Sequence, residues 1–231
     1  MAALVNLRNL LDHEIEDLYS AEEQIIEALP LMAENATDRE LKRTLKEHLR
    51  VTKEQKRRLD QVKKLLKKES GEEGSEGFME RMFGGSEGTK CKGMEGLIKE
   101  GNKMMGEEME PSVKDAAIIA SSQKIEHYEI SGYGTARAYA KELGLREVER
   151  LLAATLKEEY TADKLLNVLA LNKVNLKAER GGASKAGSKA SSKASAKASS
   201  KASSKGASKS ASKGATKKAA SKKTAGRKAA R

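Results

Sequence analysis

Residues 124–144 read KIEHYEISGYGTARAYAKELG, and this stretch decides how the fold is interpreted. It consists mainly of helix-forming residues, and Gly144 at its end is a typical helix stop. Positions spaced by three or four residues form one face of a helix predicted over residues 113–143, namely Ala116, Ile119, Gln123, Glu126, Ile130, Tyr133, Arg137 and Ala140. Polar groups therefore interrupt a face that should be buried.

The first third of the chain holds two more segments of this kind. Apolar residues from Leu11 to Leu29 recur at spacings of four and three, and Glu22 interrupts their row. Pro30, near the end of this segment, predicts a kink or an early stop. The sequence Thr37-Asp38-Arg39-Glu40 has the form of a capping box and predicts the start of a second helix, whose inner row contains His48.

The region between residues 70 and 180 completes the set of predicted elements. Residues 70–92 are rich in glycine and predict a connecting loop, with a single helical turn at 78–83. A short helix is predicted at 94–109. The last long helix is predicted from Arg146 to Glu179, and Glu159 and Asp163 break its apolar row.

Four long helices in two tight hairpins predict an all-α antiparallel four-helix bundle, with one long crossover that contains the short helix. This domain spans residues 1–180, which is enough for one sizeable core. No run of apolar residues is long enough to cross a membrane, so no membrane insertion is expected. Cys91, the single cysteine, cannot form an intramolecular disulfide, and we expect a cytoplasmic protein.

The polar breaks of paired helices lie at matching heights. Glu22 lies 14 residues before a turn near Ala36, or roughly 21 Å along the helix at ~1.5 Å per residue. Its mirror position on the second helix lies next to His48. In the second hairpin, Glu126 and Glu129 lie opposite the region of Glu159 and Asp163. These side chains should form one polar layer inside the bundle.

Two interpretations of this layer stay open, because bare charges are costly to bury. In the first, carboxylates and an imidazole, from His48 or His127, surround one or two metal ions; this donor set suits iron or manganese. The candidate ligands are Glu22, His48, Glu126, Glu129, Glu159 and Asp163. In the second, the same groups share protons and pair with His48, His127, Arg137 or Gln123 in a buried network.

Four stretches of the sequence resemble a known family. They are DLYSAEEQI (17–25), CKGMEGLIKEG (91–101), DAAIIASSQKIEHYEISGYGTA (115–136) and LKEEYTADKLL (156–166). Over residues 4–178 the chain resembles the YciE/YciF family of bacterial stress-associated ferritin-like proteins, and the EHYEI-x-x-YGT pattern carries most of the likeness. The resemblance implies a ferritin-like bundle, a homodimer and a part in stress responses, without an established biochemical activity.

The resemblance also bears on the candidate ligands. It implies that the acidic positions of the family fall on Glu22, Glu126, Glu129, Glu159 and Asp163, and that its second-helix histidine is His48. Many relatives have an acid three residues after that histidine, where this chain has Val51. The second helix therefore lacks the carboxylate and histidine pair that familiar di-iron bundles carry.

The C-terminal segment, residues 181–231, is a different kind of polymer. It consists almost entirely of Lys, Ser, Ala and Gly, and all 15 of its charged residues are basic, so we expect disorder. Without aromatic residues it should bind DNA through phosphates and without sequence preference. The predicted contacts are Lys185, Lys189, Lys193, Lys197, Lys201, Lys205, Lys209, Lys213, Lys217, Lys218, Lys222, Lys223, Arg227, Lys228 and Arg231.

Three functions are compatible with these features. The leading hypothesis is a stress-associated bundle, able to bind iron or manganese, that the tail tethers to DNA at the nucleoid. The enzyme alternative is a metal-dependent oxidase or peroxide-consuming centre, with Glu22, Glu126 and Glu159 as principal ligands. The third is a non-catalytic dimerisation module that presents two DNA-binding tails and so raises avidity.

Overall fold

The computed structural model describes residues 4–69 and 90–181, which form five α-helices and no strand within those two ranges. In chain order the helices are α1 (Leu7–Asn35), α2 (Arg39–Glu69), α3 (Lys92–Gly106), α4 (Pro111–Glu142) and α5 (Arg146–Leu169). The predicted all-α fold is confirmed. The predicted turn at 78–83 and the tail residues 182–231 lie outside the described residues.

The four long helices pack as two antiparallel hairpins. Helices α1 and α2 form one hairpin, and α4 and α5 form the other. Helix α1 also packs against α4, and α2 against α5, which closes the bundle. The short helix α3 lies in the crossover and packs against α4 and α1. Within the described ranges, no helix is both long enough and apolar enough to cross a membrane.

The first hairpin turns where predicted, but a different residue caps its second helix. Asp38 Oδ1 accepts a hydrogen bond from the backbone N–H of Glu40 at 3.0 Å, so Asp38 and not Thr37 is the cap. Thr37 instead donates its backbone N–H and its hydroxyl to Asp115 of α4, both at 2.6 Å. Asp115 also accepts from the N–H of Asp38 at 2.9 Å. One buried carboxylate thus fixes the turn against α4.

Among the other helix boundaries, one agrees with the sequence prediction and two differ from it. Helix α1 runs through Pro30 to Asn35, so the proline neither stops nor shortens it. Gly144 ends the α4 segment with a φ of 71°, a left-handed conformation that glycine adopts without strain. The last helix is not uniform to Glu179 as predicted: residues Ala170–Val174 are π-helical, and α-helix resumes over 175–181.

The core consists of two apolar clusters separated by a polar layer. The cluster near the α1–α2 turn includes Ile25, Leu29, Leu41, Leu45 and Ile118. The cluster at the other end includes Leu11, Ile15, Leu59, Tyr133 and Leu152. Between them lie buried polar side chains from all four long helices. The bundle is therefore divided across its middle at the height predicted from the sequence.

Candidate metal centre

The polar layer is built from one or two side chains of each long helix. Glu22 comes from α1, His48 from α2, Glu126 and Glu129 from α4, and Glu159 from α5. The four glutamates are at most 1% exposed, and His48 is 9% exposed. Glu126 and Glu129 are one helical turn apart, so both project from the same face of α4.

Four of these residues converge closely enough to share a metal ion. His48, Glu126, Glu129 and Glu159 each offer one ligand atom, and these atoms all lie within 4.8 Å of one another. His48 Nε2 is 3.2 Å from Glu126 Oε1, but the two atoms are not aligned as a hydrogen bond. The ligand atoms of the four residues are therefore close enough together to bind one ion.

Two neutral donors hold the outer oxygens of two glutamates. The Tyr133 hydroxyl donates to Glu22 Oε1, and Gln55 Nε2 donates to Glu159 Oε1. In each glutamate the second oxygen, Oε2, has no hydrogen-bond partner among the described residues. Both carboxylates are therefore fixed on one side and free on the other.

The layer contains an unusual number of buried acceptors without donors. Among the residues that the structure describes, six buried side-chain atoms have no hydrogen-bond partner: Glu22 Oε2, His48 Nε2, Gln55 Oε1, Glu126 Oε2, Glu129 Oε1 and Glu159 Oε2. All six lie in the polar layer. Since an unsatisfied buried polar atom costs roughly 1–3 kcal/mol, this concentration in one place calls for a further binding partner.

Burial also changes the protonation of these groups. Loss of solvation raises the pKa of Glu22, Glu126 and Glu129 well above the usual glutamate value, and the neighbouring Glu159 raises each of them further. Burial raises the pKa of Glu159 to about 7, although hydrogen bonds from Glu126 and Gln55 oppose it. Burial lowers the pKa of His48 to about 4, so its imidazole is neutral near pH 7 and has a lone pair to donate.

The remaining predicted residues lie at the edge of the site or outside it. Glu22 adjoins the group of four but is not one of its members. Asp163 is 25% exposed and lies outside the group, 3.0 Å from Gln123 Nε2 and 3.3 Å from His127 Nε2. His127 is 69% exposed and faces outward. Arg137, predicted on the inner face, is instead 44% exposed and pairs with Glu149 of α5.

Sequence reasoning missed three residues of the site. Tyr133 is on the predicted inner face of α4, seven residues after Glu126, and Gln55 likewise follows His48 by seven residues, or about two helical turns. That spacing places both residues on the same helix faces as the layer residues, about 10 Å further along. Arg58 binds both oxygens of Glu158 and the Thr155 hydroxyl at the edge of the layer, and it had no signal beyond its charge.

A groove leads from the surface to one side of this layer. It lies between α2 and α5, has a volume of about 1010 Å³, and includes His48 and Val51 in its wall. Leu165 and Val168 of α5 supply much of its apolar lining and are 55% and 48% exposed. His48 thus lines the groove and also lies, through Nε2, 3.2 Å from Glu126 Oε1. Val51 also lines the groove.

Comparison with known proteins connects this arrangement to a family. The model of a domain of unknown function, DUF892, matches residues 6–83 and 76–179. The chain belongs to this family. It is 39% identical over 178 residues to protein YciF of Escherichia coli strain K12, which covers 76% of this chain and 98% of YciF.

Solved structures support the same relationship. The crystal structure of the E. coli stress protein YciF superposes with a TM-score of 0.64 at 35% identity, and covers 74% of this chain and 99% of that one. The structure of YcfI from Rhodopseudomonas palustris gives a TM-score of 0.61 at 39% identity, with 74% of this chain and 100% of that chain covered. The chain is therefore a homologue of the E. coli stress protein YciF, and the family resemblance and fold predicted from the sequence are confirmed.

Proposed function

We propose that the polar layer holds iron or manganese, and that this bundle is the metal-binding body of a stress-associated protein. The observation that carries the proposal is the set of six buried acceptors without donors, five oxygens and one imidazole nitrogen. Hard oxygen ligands with one imidazole are the donor set of iron and manganese sites. His48, Glu126, Glu129 and Glu159 would hold the metal, with Glu22 beside them.

Charge supports the same proposal. The layer contains four glutamates, and Arg58 at its edge already pairs with Glu158. Two divalent cations would balance four ionised carboxylates, and one cation would balance two while protons neutralise the others. A bound iron or manganese ion would supply Lewis acidity or one-electron redox chemistry. The protein supplies a dry site, fixed ligands and a neutral imidazole.

Metal analysis tests this proposal directly. The full chain, purified without chelators, should contain iron or manganese in stoichiometric amounts by inductively coupled plasma mass spectrometry. Glu126→Gln preserves the shape of the side chain but removes a ligand charge, and should lose most of that metal. Glu100→Gln, on an exposed residue outside the layer, should retain it. Negligible metal in the wild type after iron or manganese is supplied would refute the proposal.

We further propose that the basic tail binds DNA and tethers the bundle to it. The support is the sequence itself, in which Lys recurs every fourth residue from Lys185 to Lys217 without any acidic residue. DNA retention by the full chain should fall steeply with salt, and a chain that ends at Arg180 should show little retention at any salt concentration. Equal retention by both chains would refute the tether.

A second candidate function is a dimerisation module that presents two tails. The observation in its favour is an apolar stripe on the outer side of the last helix, formed by Tyr160, Leu165, Val168, Leu171 and Leu176, which are 47–61% exposed. The stripe spans roughly 24 Å and adjoins the apolar groove, so a second copy packed there would cover the stripe together with the groove wall. Sedimentation should show a dimer that Leu165→Glu disrupts; a wild-type monomer would exclude this module.

A further inference from the structure

Gln55 lies inside the polar layer, where only its N–H groups have hydrogen-bond partners among the described residues. It belongs to α2 and is 1% exposed. Its amide nitrogen donates to Glu159 Oε1 and, at 3.2 Å, to Glu158 Oε2. Its amide oxygen is buried and has no hydrogen-bond partner among the described residues. An amide that uses both N–H groups and leaves its oxygen unpaired in a dry interior requires an explanation.

The neighbouring ion pair fixes which way the amide points. Arg58 donates to both oxygens of Glu158 through its two terminal nitrogens, at 2.9 and 3.1 Å, so both oxygens of that carboxyl group act as hydrogen-bond acceptors. If the Gln55 amide were reversed, its oxygen would face that carboxylate. The nitrogen must therefore face Glu158 and Glu159, and the oxygen, which diverges from it on the same carbon, is buried without a hydrogen-bond partner among the described residues.

We propose that Gln55 is a further residue of the metal centre, where its amide oxygen serves as a neutral ligand and its N–H groups position Glu159. This inference rests on the proposed metal-binding function. Helix α2 then contributes two neutral ligands, His48 and, two turns later, Gln55. Amide oxygen is a hard donor like carboxylate oxygen but adds no charge.

The neutrality of Gln55 has a consequence for metal selectivity. Four glutamates already match two divalent ions, and a fifth carboxylate would leave excess negative charge in a buried site. A neutral amide at this position therefore favours divalent over trivalent ions. Helix α2 adds no carboxylate to the layer, since its buried polar side chains are His48, Thr52 and Gln55.

The test measures Mn²⁺ and Ga³⁺ binding by chelator competition on the full chain. Gln55→Leu removes the oxygen and the donors, and should weaken Mn²⁺ binding by about 10–100-fold. Gln55→Glu keeps the shape and adds a charge, and should raise Ga³⁺ affinity relative to Mn²⁺ at least tenfold. Gln123→Leu, which removes a similar amide bonded to Asp163 outside the group, should match the wild type.

The outcomes separate the two levels of the proposal. The role of Gln55 is overturned, while the metal centre stays intact, by either of two results. One is a Mn²⁺ affinity of Gln55→Leu within twofold of wild type. The other is an unchanged ratio of Ga³⁺ affinity to Mn²⁺ affinity in Gln55→Glu. Failure of the wild type to bind Mn²⁺, Fe²⁺ or Ga³⁺ removes the centre itself. The visible absorption of bound Co²⁺ reports the ligand set, and it should change in Gln55→Leu and not in Gln123→Leu. If the leucine variant does not fold, the glutamate variant decides.

Discussion

Replacing Glu159 by glutamine should stabilise the metal-free protein, although it removes a residue of the site. Burial raises the pKa of Glu159 from 4.5 to about 7. A carboxyl whose folded pKa exceeds its unfolded value contributes stability that is fully present below pH 4.5 and is lost as the pH rises through about 7. Glutamine mimics the protonated form at every pH, so the variant does not lose that contribution.

The magnitude follows from the shift in pKa. One pKa unit corresponds to about 1.4 kcal/mol, so Glu159→Gln should raise the free energy of unfolding by up to about 3 kcal/mol at pH 8. At pH 4.5 the difference should nearly vanish. With a urea m-value of about 2 kcal/mol/M, the midpoint at pH 8 should rise by about 1.5 M.

The assay is urea unfolding in EDTA, followed by circular dichroism at 222 nm, at pH 4.5 and pH 8. The control is Glu158→Gln on the adjacent residue, which pairs with Arg58 and should lose stability at both pH values. Saturating Mn²⁺ should reverse the order at pH 8, because only the wild type then binds the ion with its full ligand set. A glutamine variant no more stable than wild type in EDTA at pH 8 would refute the reasoning.

Three other predictions concern the site and its supports. Mn²⁺ affinity should rise between pH 6 and pH 8, because protons held by the buried glutamates compete with the ion, and a flat profile in a chelator titration would contradict this. Asp115→Ala should lower the free energy of unfolding by about 3 kcal/mol in urea melts, because it removes three hydrogen bonds that hold the α1–α2 turn; an unchanged midpoint would show that the turn does not need them. Gly132→Ala should lower the free energy of unfolding by about 1–3 kcal/mol relative to Gly134→Ala, because its Cβ would lie 2.8 Å from Cδ2 of the buried Leu18 side chain. Gly134→Ala, with no described atom within 4 Å of the added Cβ, should stabilise the helix slightly, and equal effects of the two changes would be inconsistent with this packing.

Helical periodicity predicted the bundle and the height of its polar layer, because both depend only on rise per residue and on the positions of the turns. Glu22, His48, Glu126, Glu129 and Glu159 all reach the layer as the mirrored spacing required. A buried layer of this kind leaves a clear trace in sequence, since it interrupts several apolar rows at related distances from two turns.

The residues at the margin of the layer could not be assigned by periodicity. Asp163 is four residues after Glu159, which turns it by about 40° around the helix, and this is enough to move it to the edge. Spacing places Arg137 on the inner row, but the buried position on that turn is the preceding Ala136, and Arg137 lies outside and pairs with Glu149. The π-helical turn at Ala170–Val174 changes the helical phase, and a regular repeat does not predict it.

The polar layer separates the two apolar clusters of the core, and its carboxylates do not attract one another when they are ionised. Each half can therefore fluctuate with less resistance from the other than in a continuous core, and backbone amides that flank the layer should exchange with deuterium faster than those deep in either half. A cation bound to ligands from several helices would link the two halves mechanically. Exchange rates near Glu22 and Glu159 would then report occupancy, and metal supply would set how cooperatively the whole bundle unfolds.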